Sequence, residues 1–160
     1  MSHKYHFFIL LLLVGLTVAC SHVKKDYYSN GNIRSEITLK GEHYHGPARF
    51  FYDDGTLQME CYYLNDNLEG KLTRFFETGV KKEEMYFHRN RPDSIYQLWN
   101  PQKVLLMECF YKDSILDGNY KDYYNNGQLK TSGKYRQGKG EGLWLFYDQN
   151  GHIIRQENYE

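Results

Sequence analysis

The chain has 160 residues, and its 20 lysines and arginines are balanced by 20 aspartates and glutamates, which gives a formal net charge of zero. This balance, without a clustered basic face, argues against nucleic acid as a partner. Aromatic residues make up 17% of the chain, and 16 of them are tyrosines. Such a composition favours β-sheets, because aromatic side chains pack well on a pleated surface.

Residues 1–19 have the three-part layout of an export signal. A short polar start carries Lys4, and an apolar run follows from Phe7 to Ala19. The run is shorter than the about 20 residues that a helix needs to span a bilayer. We therefore predict that residues 1–19 are a cleaved signal peptide rather than a permanent membrane helix.

The end of this leader indicates a lipid anchor. The segment reads Leu16-Thr17-Val18-Ala19-Cys20. It resembles the lipobox of bacterial lipoproteins, with Thr17 at the place where that motif prefers leucine. The resemblance implies that the thiol of Cys20 is acylated and that residues 20–26 form a lipidated tether. The protein would then be lipid-anchored at the bacterial cell envelope, on its periplasmic or its surface side. The alternative is a plain secretory signal that ends near Ala19, followed by a cysteine without lipid.

Residues 27–160 are built from one repeat, and every step of it is 24 residues long. One glycine series is Gly46, Gly70, Gly118 and Gly142, with Ser94 in the missing place. A second series is Gly31, Gly55, Gly79, Gly127 and Gly151, with Lys103 in the missing place. Aromatic residues fill a third series without exception: Tyr27, Phe51, Phe75, Trp99, Tyr123 and Tyr147. Independent series in one register predict a single repeat domain.

Turn chemistry predicts the fold of each repeat. The glycines end polar stretches such as Asp53-Asp54-Gly55, and β-branched and aromatic residues lie between them. Helices of ordinary length do not fit between these glycines. We predict an all-β fold, an extended antiparallel β-meander of 24-residue β-hairpin repeats with roughly eleven strands. Both glycine series are expected to mark turns.

The fourth repeat, residues 94–117, departs from the pattern. Pro92 precedes Ser94, and the sequence from Asn100 to Lys103 reads Asn-Pro-Gln-Lys where other repeats have a glycine turn. Proline presets φ at the second position of a type I turn, so a hairpin is compatible with this sequence. We predict an irregular repeat rather than a domain boundary.

Strand parity assigns one face of the sheet to the core, because successive side chains point to opposite faces. Leu57, Met59, Cys61 and Tyr63 share one face, and the same apolar series recurs as Leu105, Met107, Cys109 and Tyr111. Cys61 and Cys109 occupy one position two repeats apart, so roughly 19 Å should separate them. This exceeds the Cα separation of about 7 Å beyond which a disulfide cannot close. We predict two unpaired, buried thiols.

The opposite face carries a row of glutamates, Glu36, Glu60, Glu84 and Glu108. Neighbours in this row lie two strands apart, at about 9 to 10 Å. Basic residues such as Arg34 and Lys82 share the face. We favour exposed and partly paired carboxylates over a calcium site or a catalytic acid pair.

The same face carries the candidate partner-binding residues. Parity places Tyr62, Tyr86 and Phe110 beside Glu60, Glu84 and Glu108. An exposed aromatic strip next to carboxylates is typical of an interface. The alternative is that sheet twist or flanking strands cover the strip and make it a second small core.

The sequence contains no pattern that supports catalysis. Of seven histidines only His43 and His45 can share a strand face, and a zinc site needs further ligands. A nucleophile elbow, a phosphate-cradling loop and a Cys-His pair are all missing from the sequence. We therefore predict a protein that is not an enzyme, with no metal, no cofactor and no small-molecule substrate.

Two stretches carry a resemblance to a known family. One runs Gly142-Leu143-Trp144-Leu145-Phe146-Tyr147 and is followed by Asn150-Gly151; the parallel stretch runs from Gly118 to Leu129. They resemble the MORN-repeat variant, in the form found in the YwqK family of toxin–antitoxin antitoxins, and the resemblance spans Asp26 to Glu160. It implies a repeat fold, and the antitoxin name implies a protein partner. Repeat folds serve many tasks, and an export signal suits an envelope immunity role better than a cytoplasmic antitoxin.

These observations predict a non-catalytic, membrane-anchored repeat lipoprotein that binds a protein partner at the cell envelope. An antitoxin-like or immunity-like role fits this description. The alternative function is a glycan- or peptidoglycan-binding module that uses exposed tyrosines as stacking platforms.

Overall fold

The computed structural model describes residues 20–160 as one open antiparallel sheet. The strands are β1 (Ser21–Tyr27), β2 (Ile33–Lys40), β3 (His43–Phe51), β4 (Leu57–Leu64), β5 (Asn67–Leu68), β6 (Gly70–Phe75), β7 (Lys81–His88), β8 (Arg91–Trp99), β9 (Leu105–Lys112), β10 (Ile115–Tyr123), β11 (Leu129–Arg136), β12 (Lys139–Tyr147) and β13 (Ile153–Tyr159). Strands pair in sequence order, apart from β5, which pairs with β4 beside this path. The predicted all-β meander of hairpins is confirmed. The predicted signal peptide lies outside the described residues.

The sheet begins earlier in the chain than the sequence indicated. β1 starts at Ser21 and pairs with β2, with Lys24 opposite Ile37. Residues 21–26, which we assigned to a tether, therefore form the edge strand of the sheet. The strand count rises above the predicted roughly eleven because β1 is added and the two-residue β5 is separate from β6.

One face of the sheet, here called the core face, carries the apolar side chains. A continuous row crosses it, with one residue from each long strand between β2 and β13. The row is Ile37, Ala48, Cys61, Leu72, Met85, Tyr96, Cys109, Tyr120, Gly133, Trp144 and Glu157. Ile37, Ala48, Cys61 and Leu72 form a buried cluster, against which Met59 and Tyr63 pack. The core face predicted from parity is confirmed.

At its C-terminal end the core face is aromatic. Trp144 is only 6% exposed. Tyr120 stacks on it with 5.6 Å between ring centroids, and Tyr135 and Tyr159 meet it edge-on at 4.9 and 6.0 Å. Gly133 makes room for the indole, because a Cβ at this position would lie 2.1 Å from the ring.

Six hairpin turns share one hydrogen-bond pattern. In the first, the amide of Tyr28 donates to the Asn32 carbonyl and the amide of Gly31 donates to the Tyr28 carbonyl. The same pair of bonds closes the turn of the fourth repeat. There Lys103 has a φ of 65°, in the left-handed region that the five glycines of the second series occupy in the other turns. The fourth repeat thus differs in sequence but keeps the backbone of the others.

The first glycine series lies within strands rather than in the turns that we predicted. Gly46 in β3 and Gly118 in β10 have φ values of 127° and 132°, and strand pairing shifts register beside each of them. These positions are β-bulges with a positive φ, in which three residues, 45–47 in β3 and 117–119 in β10, face a single residue of the neighbouring strand. A Cβ on Gly118 would also lie 2.8 Å from Phe110. Two extra residues leave the parity of the strand unchanged, so parity did not reveal the bulges.

The remaining five hairpins close through two-residue turns, and four of these turns bond to the preceding repeat. The second residue of each turn donates its amide to a carbonyl 22 residues earlier: Asp66 to Tyr44, Asn90 to Leu68, Ser114 to Pro92 and Gly138 to Leu116. Asp66 and Asn90 also accept a bond from the amide of their partner residue. In the fourth repeat the corresponding residue is Pro92, which has no amide hydrogen to donate. The Ser114 side chain therefore does not need to accept a bond there, and no backbone donor is left unsatisfied. Proline therefore fits this strand without disrupting the repeat.

Candidate binding surface

The face opposite the core face, here called the glutamate face, carries a row of glutamates that alternate with basic or neutral polar residues. Cross-strand register interleaves the glutamates with residues of the intervening strands. The row is Glu36, Arg49, Glu60, Thr73, Glu84, Gln97, Glu108 and Lys121. The predicted spacing of two strands between glutamates is found, and it places a polar or basic side chain in each gap.

The glutamates are partly paired, but their partners differ from those that the sequence indicated. Three contacts of 2.8 Å join Lys25 to Glu36, Lys81 to Glu84 and Gln97 to Glu108. Lys82 instead places its ammonium group 5.5 Å from the centre of the Phe76 ring. Pairs of this kind, near the surface, stabilise a protein by about 1 kcal/mol or less. All four glutamates are half-buried rather than exposed as we predicted, because side chains of the neighbouring strands cover part of each one.

Among residues 20–160, no three His, Cys, Asp or Glu side chains converge in an arrangement that could hold a metal ion. His43 contacts the carboxylate of Asp66, and His45 contacts the side-chain oxygen of Asn65. Both histidines therefore contact the two-residue turn that lies between β4 and β5.

The three aromatic residues that we singled out lie on the glutamate face but not next to one another. Tyr62, Tyr86 and Phe110 belong to β4, β7 and β9, and the intervening strands place Lys71 opposite Tyr86 and Ile95 opposite Phe110. Tyr62 is 42% exposed, whereas Tyr86 and Phe110 are half-buried. Of the three predicted residues, only Tyr62 is therefore well exposed on this face.

A shallow groove of about 410 Å³ surrounds Tyr62. Besides the tyrosine, its charged lining residues are Arg49, Glu60, Glu69 and Lys71. Hydrogen bonds from the Arg89 amide and the His88 ring lower the pKa of Glu69, so this carboxylate is ionised. The sequence predicted Glu60 and Tyr62. Arg49, Glu69 and Lys71 were missed because only cross-strand register brings them here.

The cysteines follow the prediction. Cys61 and Cys109 are unpaired and buried, with 6% and 2% of their surface exposed. Burial raises the pKa of each thiol to about 11. Cys20 is exposed and directly precedes β1. Residues 20–160 contain no helix that is both long and apolar enough to cross a membrane.

Hairpins of one design, stacked in sequence order, define a repeat-based binding module. The chain belongs to the MORN repeat variant family. The family model matches residues 23–40, 44–65, 68–89, 116–137 and 140–160. Residues 90–115, which include most of the fourth repeat, lie between these matches.

No curated protein matches this sequence. Among solved structures, the chain is similar to TarM, with 17% identity and a TM-score of 0.38 over 62% of this chain. It is also similar to a mutant of S. aureus TarM in complex with Fondaparinux, alpha-GlcNAc-glycerol and UDP, with 13% identity and a TM-score of 0.40 over 74% of this chain. The chain spans 20% and 21% of these two structures. At such TM-scores the likeness supports no conclusion about function.

Proposed function

We propose that this protein is a non-catalytic binding module, anchored at the bacterial cell envelope by a lipid on Cys20, which binds a protein partner through the glutamate face. The observation that carries the proposal is the groove around Tyr62. There a half-exposed aromatic ring is surrounded by two basic and two acidic side chains. Tyrosine and arginine are enriched at protein interfaces, which supports this assignment.

The charge pattern supports a protein partner rather than a uniformly charged polymer. Arg49 and Lys71 are interleaved with Glu60 and Glu69, so the groove presents no single sign of charge. Such a surface favours a partner that places acidic groups opposite Arg49 and Lys71 and basic groups opposite Glu60 and Glu69. It disfavours other partners through contacts between like charges. An immunity-like role, in which the module neutralises a protein at the envelope, is the form of this function that the family resemblance favours.

Replacing Tyr62 by serine is expected to abolish capture of the partner from detergent-solubilised membranes, with little change in melting temperature. Tyr62 contributes exposed contact area, whereas its backbone carries the strand pairing. Ile154→Ser is the matched control, because Ile154 is also apolar and is 66% exposed at the far edge of the sheet. Quantitative mass spectrometry of the captured proteins gives the measurement. Equal capture by wild type and Tyr62→Ser, or specific binding of isolated saccharides instead of proteins, would contradict the proposal.

Acylation of Cys20 is expected to place the protein in the membrane. In cells fed a clickable fatty acid, the wild-type chain should carry label and partition into detergent, and Cys20→Ala should do neither. The thiols of Cys61 and Cys109 are buried, so they do not compete for the modification. Equal labelling of the two forms would refute the anchor and leave the Tyr62 groove untouched.

A further inference from the structure

A second cavity lies at the sheet edge where the glycine turns are found. It measures about 540 Å³ and is formed between the turn of the third repeat and the turn of the fourth. Its lining includes Phe75, Thr78, Val80, Lys81, Trp99 and Lys103. The volume falls within the range of about 300–1,000 Å³ that is typical of small-molecule sites. The cavity shares no lining residue with the groove around Tyr62.

The walls of this cavity offer a flat, aromatic surface. Phe75 and Trp99 come from the aromatic series of two successive repeats, and both are half-buried. Trp99 is the only tryptophan in that series. The Lys81 ammonium group lies 4.9 Å from the centre of the indole, and it is also paired with Glu84 at 2.8 Å. The charge of Lys81 is therefore already compensated.

Lys103 supplies a charge without such compensation. It is exposed, and among the described residues no carboxylate forms an ion pair with it. It also stands at a φ of 65°, where every other repeat has a glycine. Eight other non-glycine residues of the described chain also have a positive φ, so the backbone at Lys103 is not exceptional in itself. What distinguishes Lys103 is its side chain: it places an unpaired charge at a turn position where the other repeats have no side chain at all.

We propose that this cavity binds a small ligand in which an anionic group is attached to a ring. The ring lies against Trp99 and Phe75, and the anionic group pairs with the ammonium group of Lys103. None of the lining residues is acidic, so the cavity does not repel an anion. Charge-assisted bonds of this type are the stronger class of hydrogen bond and fix the orientation of the ligand. A sugar phosphate and an aromatic phosphate share this chemistry.

The test uses the full chain and four probes at constant ionic strength. Phenyl phosphate and glucose 6-phosphate each combine a ring with an anion. Inorganic phosphate lacks the ring, and phenyl glucoside lacks the charge. Calorimetry measures affinity, and tryptophan fluorescence reports on Trp99, because the only other tryptophan, Trp144, is buried four strands away in β12. We expect at least one of the two ring phosphates to bind and to alter the fluorescence, and the one that binds identifies the kind of ring.

Variants of Lys103 separate charge from backbone. Lys103→Gly restores the residue of the other repeats, and Lys103→Asn introduces a residue that tolerates a positive φ. Both should weaken binding by about tenfold or more, as loss of a charge-assisted bond predicts. Lys103→Arg should keep the affinity within about threefold. Gln137→Gly is the matched control, since Gln137 has a φ of 49° in another turn, and it should leave binding unchanged.

Melting temperatures distinguish a loss of the binding group from a loss of folding. Lys103→Gly should melt at a higher temperature than wild type, because it relieves the positive φ, while losing the ligand. The proposal is overturned if neither ring phosphate binds, if Lys103→Gly binds as tightly as wild type, or if inorganic phosphate matches the ring phosphates. It is also overturned if a polyglutamate peptide displaces them with higher affinity, because the cavity would then be a peptide site.

Discussion

Replacing Gly133 by alanine is expected to destabilise the protein by about 2–3 kcal/mol, although alanine is otherwise harmless in a strand. The added Cβ would lie 2.1 to 2.6 Å from three atoms of the Trp144 ring, closer than any real contact. The indole cannot easily move away, because Tyr120, Tyr135 and Tyr159 surround it. Gly133 has no positive φ, so the entire effect should be steric. Chemical denaturation measures the loss.

A double-mutant cycle tests this cause. Trp144→Leu places at this position the residue that Leu72 provides in the same core row. In that background Gly133→Ala should cost well under about 1 kcal/mol, because the smaller side chain leaves room for the methyl group. Ser132→Ala, one residue away on the other face, serves as control and should change the free energy of unfolding only slightly. An equal cost of Gly133→Ala in both backgrounds would show that a clash with the indole is not the cause of the loss.

The period of the sequence made the fold predictable. Each repeat must place its apolar side chains on the same face as its neighbours do, so the parity of Met59, Cys61 and Tyr63 sufficed to find the core face. The same repeat spacing predicted that Cys61 and Cys109 lie too far apart for a disulfide, and both cysteines are unpaired. These properties depend only on residue spacing, which a sequence displays directly.

The positions of the bulges and the cross-strand neighbours depend on the pairing register of the strands. The sequence does not show where this register shifts. A glycine fits a turn and a bulge equally well, because both require a positive φ. The sequence therefore placed Gly46 and Gly118 in turns, whereas they lie in bulges. Arg49 was missed for a related reason, since only the pairing of β3 with β4 places it opposite Glu60.

The Lys103 turn shows a different limit. The repeat pattern correctly marked this position as exceptional, but composition suggested a changed backbone. The structure keeps the backbone and changes only the side chain, because the two hydrogen bonds of the turn tolerate any residue that can bear a positive φ. Lys103 therefore changes the chemistry of the turn surface without changing the fold of the repeat.

The buried thiols should make the protein increasingly unstable between pH 9 and pH 11. Burial raises the pKa of Cys61 and Cys109 from 9.0 to about 11, so the folded state holds these protons more tightly than the unfolded state does. Their contribution is therefore fully present below pH 9 and is lost as the pH rises through 11. A shift of two units corresponds to about 2–3 kcal/mol for each thiol. Tyr96 and Tyr120, whose pKa values burial raises to about 12, extend the loss to higher pH.

Alkylation and denaturation together measure this effect. At pH 8 a thiol of pKa about 11 holds about 100-fold less thiolate than one of pKa 9, so iodoacetamide should modify the folded chain about 100-fold more slowly than the denatured chain. In the Cys61→Ala, Cys109→Ala variant the free energy of unfolding should be lower at pH 7, because the sulfur atoms no longer pack, but should fall less steeply from pH 9 to pH 11. Parallel pH profiles for the two proteins, or equal alkylation of folded and denatured chains, would show that the thiols are not shielded by the core face.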